Sequence, residues 1–404
     1  MKIGIIREGK NPPDSRVPLT PGQCAWIKKK YPLELVVQPY PGRCFKDGEY
    51  SAAGIALSED LSGCDILMGV KEVPTGQLMN GKTYFFFSHT IKAQAYNRGL
   101  LKAVLEKKIR LIDYEVLTND KGQRLIAFGK FAGMVGAHNA LWTYGKRTGT
   151  LDMPRMNSFK DYEAATGFYE KTTMPRVKIV LTGTGRVAMG ASKVLSDMGI
   201  ALVGPNDFLN KDFDQAVFTR LGCKDYAARK DGSGFEKNDF YQNPQLYKSI
   251  FKPYTQVADI MINGIFWDNR APAFFTINEM ASEGFKIKTI ADVTCDIAPM
   301  ASIPSTLRAS TIADPVFGFD PTTGEEIAAF SENGIDVMSI DNLPNELPRD
   351  ASTSFGQQFT EHILPELLKE KSELLERATL AADGKLGKHF TYLEDYVGMA
   401  NAAS

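Results

Sequence analysis

Val177-Lys-Ile-Val-Leu-Thr-Gly-Thr-Gly-Arg-Val-Ala188 is the stretch that decides the fold. Its aliphatic and β-branched opening reads as a strand. Gly183-Thr-Gly185-Arg186-Val-Ala188 then fits G-x-G-x-x-A, and the residues from Ala188 to Met198 have the spacing of an amphipathic helix. Each residue type has a physical reason. Gly183 permits the tight turn, and Gly185 lets backbone N–H groups approach a pyrophosphate. Small Ala188 lets the helix pack close to the strand, while the helix N-terminus favours the anion. Gly183, Gly185, Arg186 and Ala188 are therefore the expected contacts of a dinucleotide, NAD or NADP.

If the ligand is NAD, the next strand is expected to end in an acid that takes the adenine ribose. The next apolar run, Ile200–Val203, ends in Gly204, and Asp207 lies slightly beyond. Asp207 is the candidate acid. No arginine follows it to hold a 2′-phosphate, so the choice between NAD and NADP stays open.

Outward from this unit, strands and helices alternate. Ala258–Ile262 and Thr289–Val293 read as further strands on the C-terminal side. On the N-terminal side, Lys2–Ile6, Leu35–Gln38, Ile66–Val70, Tyr84–Ser88 and Arg110–Tyr114 read as strands, with Pro21–Tyr31 and Ala93–Lys108 as helices. Residues 151–175 read as a connecting segment. Residues 208–253, charged and aromatic, read as an insertion packed on the sheet. After Ile340 the chain returns to helix, notably Thr353–Lys369, and is expected to pack back on the first domain. The fold class is α/β: two Rossmann-like domains with mostly parallel sheets and an interdomain cleft. Residues 1–149 and 341–404 are the expected substrate domain, and 150–340 the cofactor domain.

With 404 residues, two domains are the prior expectation. The 47 Lys and Arg against 48 Asp and Glu remove the global pull of a general nucleic-acid or membrane-surface binder. No apolar run approaches the ~20 residues of a bilayer span. Five scattered cysteines, without C-x-x-C or paired Cys/His spacing, argue against a disulfide framework and a structural zinc site. A reduced, cytoplasmic location and no metal are the expectations. Gly76-Gln-Leu-Met-Asn-Gly-Lys-Thr83 spells a phosphate-binding loop, but the aromatic, strand-like Tyr84–Phe87 follows where a helix must open. That motif is a coincidence of spelling.

Neutrality is a sum of unlike parts. Residues 71–130 hold eleven Lys and Arg against five Asp and Glu, a local charge of +6. Lys71 and His89 close neighbouring strands there, where α/β proteins place ligands. Read alone, Arg16 is equally a surface arginine, His89 a satisfied structural histidine, and Asp113 with Glu115 solvent-facing strand positions.

Lys82-Thr-Tyr-Phe-Phe-Phe-Ser-His-Thr-Ile-Lys-Ala-Gln94 and Ile109-Arg-Leu-Ile-Asp-Tyr-Glu115 resemble the lysine–2-oxoglutarate reductase half of the bifunctional lysine-degradation enzyme. They are also similar to fungal lysine-forming saccharopine dehydrogenase. Ile262-Asn-Gly-Ile-Phe-Trp267, Asp292–Asp296 and Ser339-Ile-Asp-Asn-Leu-Pro344 extend the likeness, which runs from Arg16 to about Pro365. The wider superfamily includes alanine dehydrogenase. The resemblance implies the reversible conversion of saccharopine, NAD(P)+ and water to lysine, 2-oxoglutarate and NAD(P)H. It implies Lys71 and His89 as the acid–base pair, moderated by Glu72 and Glu115. Arg16, Lys92 and Arg124 match substrate-side positions, suited to a substrate with three carboxylates, and Asp341 or its neighbours match a position near the nicotinamide. The alternatives are an alanine-dehydrogenase-like activity and a catalytically silent NAD(P)-binding sensor.

Overall fold

Runs of Ile, Leu, Val and Phe with few charges among them need cover on both faces. The computed structural model, which describes residues 1–398, gathers them into two sheets of eight strands each. In chain order the strands are β1 (Lys2–Ile5), β2 (Glu34–Val37), β3 (Ala56–Leu57), β4 (Ile66–Met68), β5 (Thr83–Phe86) and β6 (Arg110–Asp113). Then come β7 (Lys178–Thr182), β8 (Ala201–Leu202), β9 (Val217–Leu221), the hairpin β10 (Ala227–Arg229) and β11 (Tyr247–Ser249), and β12 (Ile260–Asn263). The last are β13 (Thr289–Asp292), β14 (Phe317–Asp320), β15 (Glu325–Ile327), β16 (Ile335–Met338), β17 (Thr379–Ala382) and β18 (Lys385–Leu386). Five helices matter below: α1 (Pro21–Lys30), α2 (Arg98–Glu106), α3 (Gly129–Thr148), α4 (Arg186–Asp197) and α5 (Pro348–Gln358).

The chain packs as two units, one made of Met1–Ala127 with the chain from Pro348 onward, the other of Phe128–Leu347. In the first unit the strand order is β18-β17-β6-β5-β4-β1-β2-β3. β1 to β6 are all parallel, whereas β17 runs antiparallel to β6. The chain winds outward from β1 to β3, then crosses to β4 and continues through β5 and β6. The direction of winding therefore switches between β1 and β4, and ligands of open α/β sheets bind outside the strand ends at such a point. α2 buries Leu100, Leu101, Val104 and Leu105, a stripe set by their helical spacing. Thr353–Lys369 is helical but not one continuous α-helix. α5 gives way to a π-turn over Phe359–Ile363, next to Pro365, which has no N–H to continue the ladder.

In the second unit the order is β15-β14-β16-β13-β12-β7-β9-β8. β7, β8, β9, β12, β13 and β16 are parallel, with β14 and β15 antiparallel at one edge. Here the switch lies between β7 and β12. β9 overturns one expectation. It falls within residues 208–253, which read as an insertion, yet it pairs with β7 from Lys178↔Val217 to Thr182↔Leu221. The strand expected beside β7, now β8, is displaced to the edge.

The division between units precedes α3, whereas the sequence places it after residue 149. α3 and α4 cross at near backbone contact. A Cβ on Gly133 would lie 1.8 Å from the Val187 carbonyl oxygen, and one on Gly190 would lie 1.9 Å from that of Lys130. Only glycine allows this approach, and it fixes α3 to the second unit. Residues 151–175 are also more than a connection. They contain a helix, Tyr162–Tyr169, capped by Asp161, and its Tyr169 hydroxyl lies 2.7 Å from Nδ1 of His138 in α3. All five cysteines are free. Among the described residues no helix is long and apolar enough to cross a membrane, and no cluster of His, Cys, Asp and Glu is placed to hold a metal.

Candidate active site

In the first unit three consecutive parallel strands, β4, β5 and β6, deliver Lys71, His89 and Glu115 to the same end of the sheet. Neighbouring strands lie about 4.8 Å apart, so groups leaving their ends are within reach of one another. Lys71 is half-buried just beyond β4. Burial, and then Arg16 and Lys10, hold its ammonium below the ordinary lysine range, while Asp14 and Glu72 act in the opposite sense. Its backbone is fixed by Glu8, whose two oxygens accept from the N–H of Val70 at 2.6 Å and of Lys71 at 2.9 Å. Burial, with Asp14 second, pushes the Glu8 carboxyl up to about 8, against those two N–H groups and Arg16.

His89 lies just past β5 with φ +54, a left-handed conformation that costs a non-glycine residue energy. Two contacts hold it there: its ring stacks on Phe87 with the planes 13° apart, and its carbonyl accepts from Asn97 at 2.9 Å. Nδ1 of His89 stands 3.7 Å from Glu115 Oε2, beyond ordinary hydrogen-bond length. Arg124 donates to the other Glu115 oxygen at 2.6 Å. His89 first, and then Arg124, hold the Glu115 carboxyl down at about 2 against the burial that would raise it. Asp113 joins the two loops. It accepts from the N–H of Ser88 at 3.1 Å and the Ser88 hydroxyl at 2.5 Å, and from the N–H of Glu115 at 2.8 Å. Asp113 is fully buried and Glu115 nearly so, hence neither is a solvent-facing strand position.

The other expected residues fare differently. Arg16 is 3% exposed, and Asp14 engages its fork at Nε and Nη2, so an internal carboxylate already meets it. Glu72 pairs with Lys10 at 3.0 Å, and Tyr96 donates to it at 3.4 Å. Lys92 is exposed in the turn after His89. Glu8, Asp14 and Asp113 were not singled out from sequence as site residues. The available signal for Glu8 and Asp113 was their position at or just past the ends of β1 and β6, whereas Asp14 lies in the loop nine residues beyond β1.

The second unit holds its own site around the end of β7. Gly183 has φ +107, and a Cβ there would lie 2.5 Å from the Gly264 carbonyl oxygen, beyond the end of β12. A Cβ on Gly185 would meet no atom within 4 Å, leaving open space beside the backbone where α4 begins. Ala188 is fully buried. A cavity of about 390 Å³ opens from this turn, lined by Gly183, Gly185, Gly222, Tyr226, Tyr241 and Trp267 among others. Backbone donors at a helix start beside an aromatic cavity fit a dinucleotide. Behind it, Asn263 accepts from Thr182 at 2.7 Å and donates to Asp292 at 2.9 Å, tying the ends of β7, β12 and β13 together.

Arg186 opens α4, two residues before the helix start expected at Ala188. Asp207 does not end a strand: it lies in the helix Pro205–Asn210, past the edge strand β8, and pairs with Lys211 at 2.9 Å. Asp341 is exposed beyond β16, near enough to Cys295 to help raise its thiol. The literal phosphate-loop motif carries no phosphate cradle. β5 starts at Thr83, and Lys82 donates to the carbonyls of Ser62 and Cys64 at 2.5 and 2.8 Å.

Residues 4–135 match the family described as alanine dehydrogenase/PNT, N-terminal domain. Alpha-aminoadipic semialdehyde synthase of Arabidopsis thaliana is 30% identical over 97% of this chain and 41% of its own length. The mitochondrial form from Mus musculus is 30% identical over 97% of this chain and 47% of its own. The chain thus spans less than half the length of these relatives. Saccharopine dehydrogenase (NAD(+), L-lysine-forming) of Emericella nidulans is 27% identical over 92% of each chain. In fold, a solved L-alanine dehydrogenase superposes with a TM-score of 0.68 at 14% identity, covering 99% of both chains. Along most of its length the chain is thus similar to L-lysine-forming saccharopine dehydrogenases, and at residues 4–135 it matches the N-terminal domain of the alanine dehydrogenase/PNT family.

Proposed function

We propose that this chain is an NAD(P)-dependent oxidoreductase that interconverts saccharopine with lysine and 2-oxoglutarate. The observation that carries the reading is the arrival of Lys71, His89 and Glu115 from the ends of β4, β5 and β6. It is supported by a relative named saccharopine dehydrogenase (NAD(+), L-lysine-forming), which aligns over 92% of this chain.

The nicotinamide, when bound, supplies the hydride acceptor at the carbon bearing the secondary amine. The chain's residues handle the protons. Loss of hydride leaves an imine, whose hydration and collapse need a group that takes a proton and a group that returns one. Lys71, whose ammonium burial and Arg16 hold below the ordinary lysine range, is the candidate for the first task. His89, with Nδ1 3.7 Å from Glu115 Oε2, is placed at the neighbouring strand end for the second. Half-exposed Arg124, which holds Glu115, is a guanidinium suited to a substrate carboxylate. The +6 charge of residues 71–130 favours a multiply anionic substrate.

The test follows NADH and NADPH oxidation with lysine plus 2-oxoglutarate, against pyruvate plus ammonium. Turnover with the first pair is the expected result. The match of residues 4–135 to the alanine dehydrogenase family favours the second reading, an alanine-dehydrogenase-like activity, which turnover with pyruvate and ammonium alone would establish. Dinucleotide binding without turnover on either pair would leave a silent sensor.

A further inference from the structure

The loop that follows β5 carries His89 at one end and turns at Ala93, and both residues are left-handed, with φ +54 and +52. Neither is glycine, so each conformation costs energy that contacts with the rest of the unit must offset. The inner side of the loop has such contacts. The Ser88 hydroxyl, bonded to Asp113, lies 2.7 Å from that of Thr90, and Asn97 donates to the His89 carbonyl. On the outer side Lys92, Ala93 and Gln94 are exposed.

The outer side is met by a segment some three hundred residues further along the chain. Residues 391–397 form a turn, Thr391–Leu393, and a short helix, Glu394–Val397. Leu393 and Val397 are buried in one apolar cluster with Leu100, Leu101, Val104 and Leu105 of α2, which seats the segment. From this seat two tyrosines, four residues apart, reach the loop. Tyr392 donates to the Ile91 carbonyl at 2.9 Å and Tyr396 to the Gln94 carbonyl at 2.5 Å, so the two bonds straddle Lys92 and Ala93. Partial desolvation, and then the Glu115 carboxylate, raise the Tyr392 hydroxyl above its ordinary value. It therefore stays a donor, near the acid that faces His89.

We propose that Tyr392 and Tyr396 are positioning residues that clamp the loop His89–Gln94, fixing the direction in which His89 and Lys92 meet the substrate. This rests on the reading of His89 as a proton-transfer group. Seat and grip are separate, because Leu393 and Val397 anchor the segment while the hydroxyls hold the loop. Removing the hydroxyls therefore loosens the loop and leaves the segment in place.

The experiment compares the full chain with Tyr392→Phe, Tyr396→Phe and the double variant, which keep the rings. Deuterium exchange is followed in peptides spanning residues 88–97, where the Ala93 N–H is bonded to the Thr90 carbonyl at 2.9 Å and the Asn97 N–H to the Gln94 carbonyl at 3.1 Å. Exchange there should quicken about fivefold in each single variant and about thirtyfold in the double, the worth of one and of two neutral hydrogen bonds. The kcat for lysine plus 2-oxoglutarate should fall at least about fivefold in the double variant, with NADH affinity and melting temperature unchanged. A purely structural role does not produce that split. Unchanged exchange overturns the clamp, and faster exchange with unchanged kcat removes the tyrosines from the chemistry. Parallel losses of melting temperature and NADH affinity assign them to the fold and also overturn the proposal. A wild-type chain that does not turn over lysine plus 2-oxoglutarate sinks the functional reading and the catalytic part of this inference, whereas the exchange rates still decide whether the tyrosines hold the loop.

Discussion

Acidification tests the interior of the second unit in a way that separates two buried groups of opposite sign. His138 is fully buried in α3, with Nε2 2.8 Å from the Pro154 carbonyl and Nδ1 2.7 Å from the Tyr169 hydroxyl. Burial lowers it to about 4 from 6.5, although the Pro154 carbonyl works against the shift. A histidine lowered on folding contributes stability that is complete above its unfolded value and lost as pH falls towards its folded one. The loss from neutrality to pH 4 is about 3 kcal/mol. Asp292 has the reverse sign. Burial pushes it up to about 6 from 3.8, against hydrogen bonds from Thr306 and Asn263. A carboxyl raised on folding stabilises most at low pH and loses that contribution, again about 3 kcal/mol, as pH rises through the same window. The two nearly cancel between pH 4 and 6. His138→Gln removes one of them while leaving an amide N–H for the Pro154 carbonyl. Urea unfolding, followed by tryptophan fluorescence to which Trp142 in the same helix contributes, gives stability against pH. The wild-type curve minus the variant curve should rise by about 3 kcal/mol from pH 4 to 7. Parallel curves would refute the reasoning, because they would mean that His138 titrates alike in folded and unfolded chains.

Gly190→Val places a branched side chain where a single Cβ would already lie 1.9 Å from the Lys130 carbonyl oxygen, so α3 and α4 must separate. Thermal unfolding should reveal a loss of roughly 3 kcal/mol or more, and an unchanged melting temperature would show that the crossing is not tight. Lys71→Met and His89→Gln should each lower turnover of lysine plus 2-oxoglutarate by orders of magnitude with an unaltered circular dichroism spectrum. Near-normal turnover in both would remove them from the chemistry.

The features legible in the sequence are the local ones. Val177–Ala188 contains its own strand, turn and helix start, so the glycine loop can be read without knowing any partner. Lys71 and His89 stand out because each follows a short apolar run. What was not legible depends on pairing between distant segments. β9 carries Arg220 and is surrounded by charges, so nothing along the chain says that it lies beside β7, and the ribose acid was sought two strands from the centre. Glu8 is an ordinary acid after a strand until β1 and β4 are known to be neighbours, when its carboxylate falls under two backbone N–H groups. Likewise α3 reads as part of the first domain until Gly133 and Gly190 are seen to meet the facing helix.

Asp113 has a consequence for how kinetics of this protein should be interpreted. One carboxylate anchors the loop of His89 through Ser88 and the loop of Glu115 through its backbone. Substitutions at His89 and Glu115 therefore share a common support, and their effects are not expected to add. A double-mutant cycle between the two sites would return a coupling energy that includes the displacement of this shared anchor as well as their direct attraction. Repeating the cycle in an Asp113→Asn background would separate the two contributions.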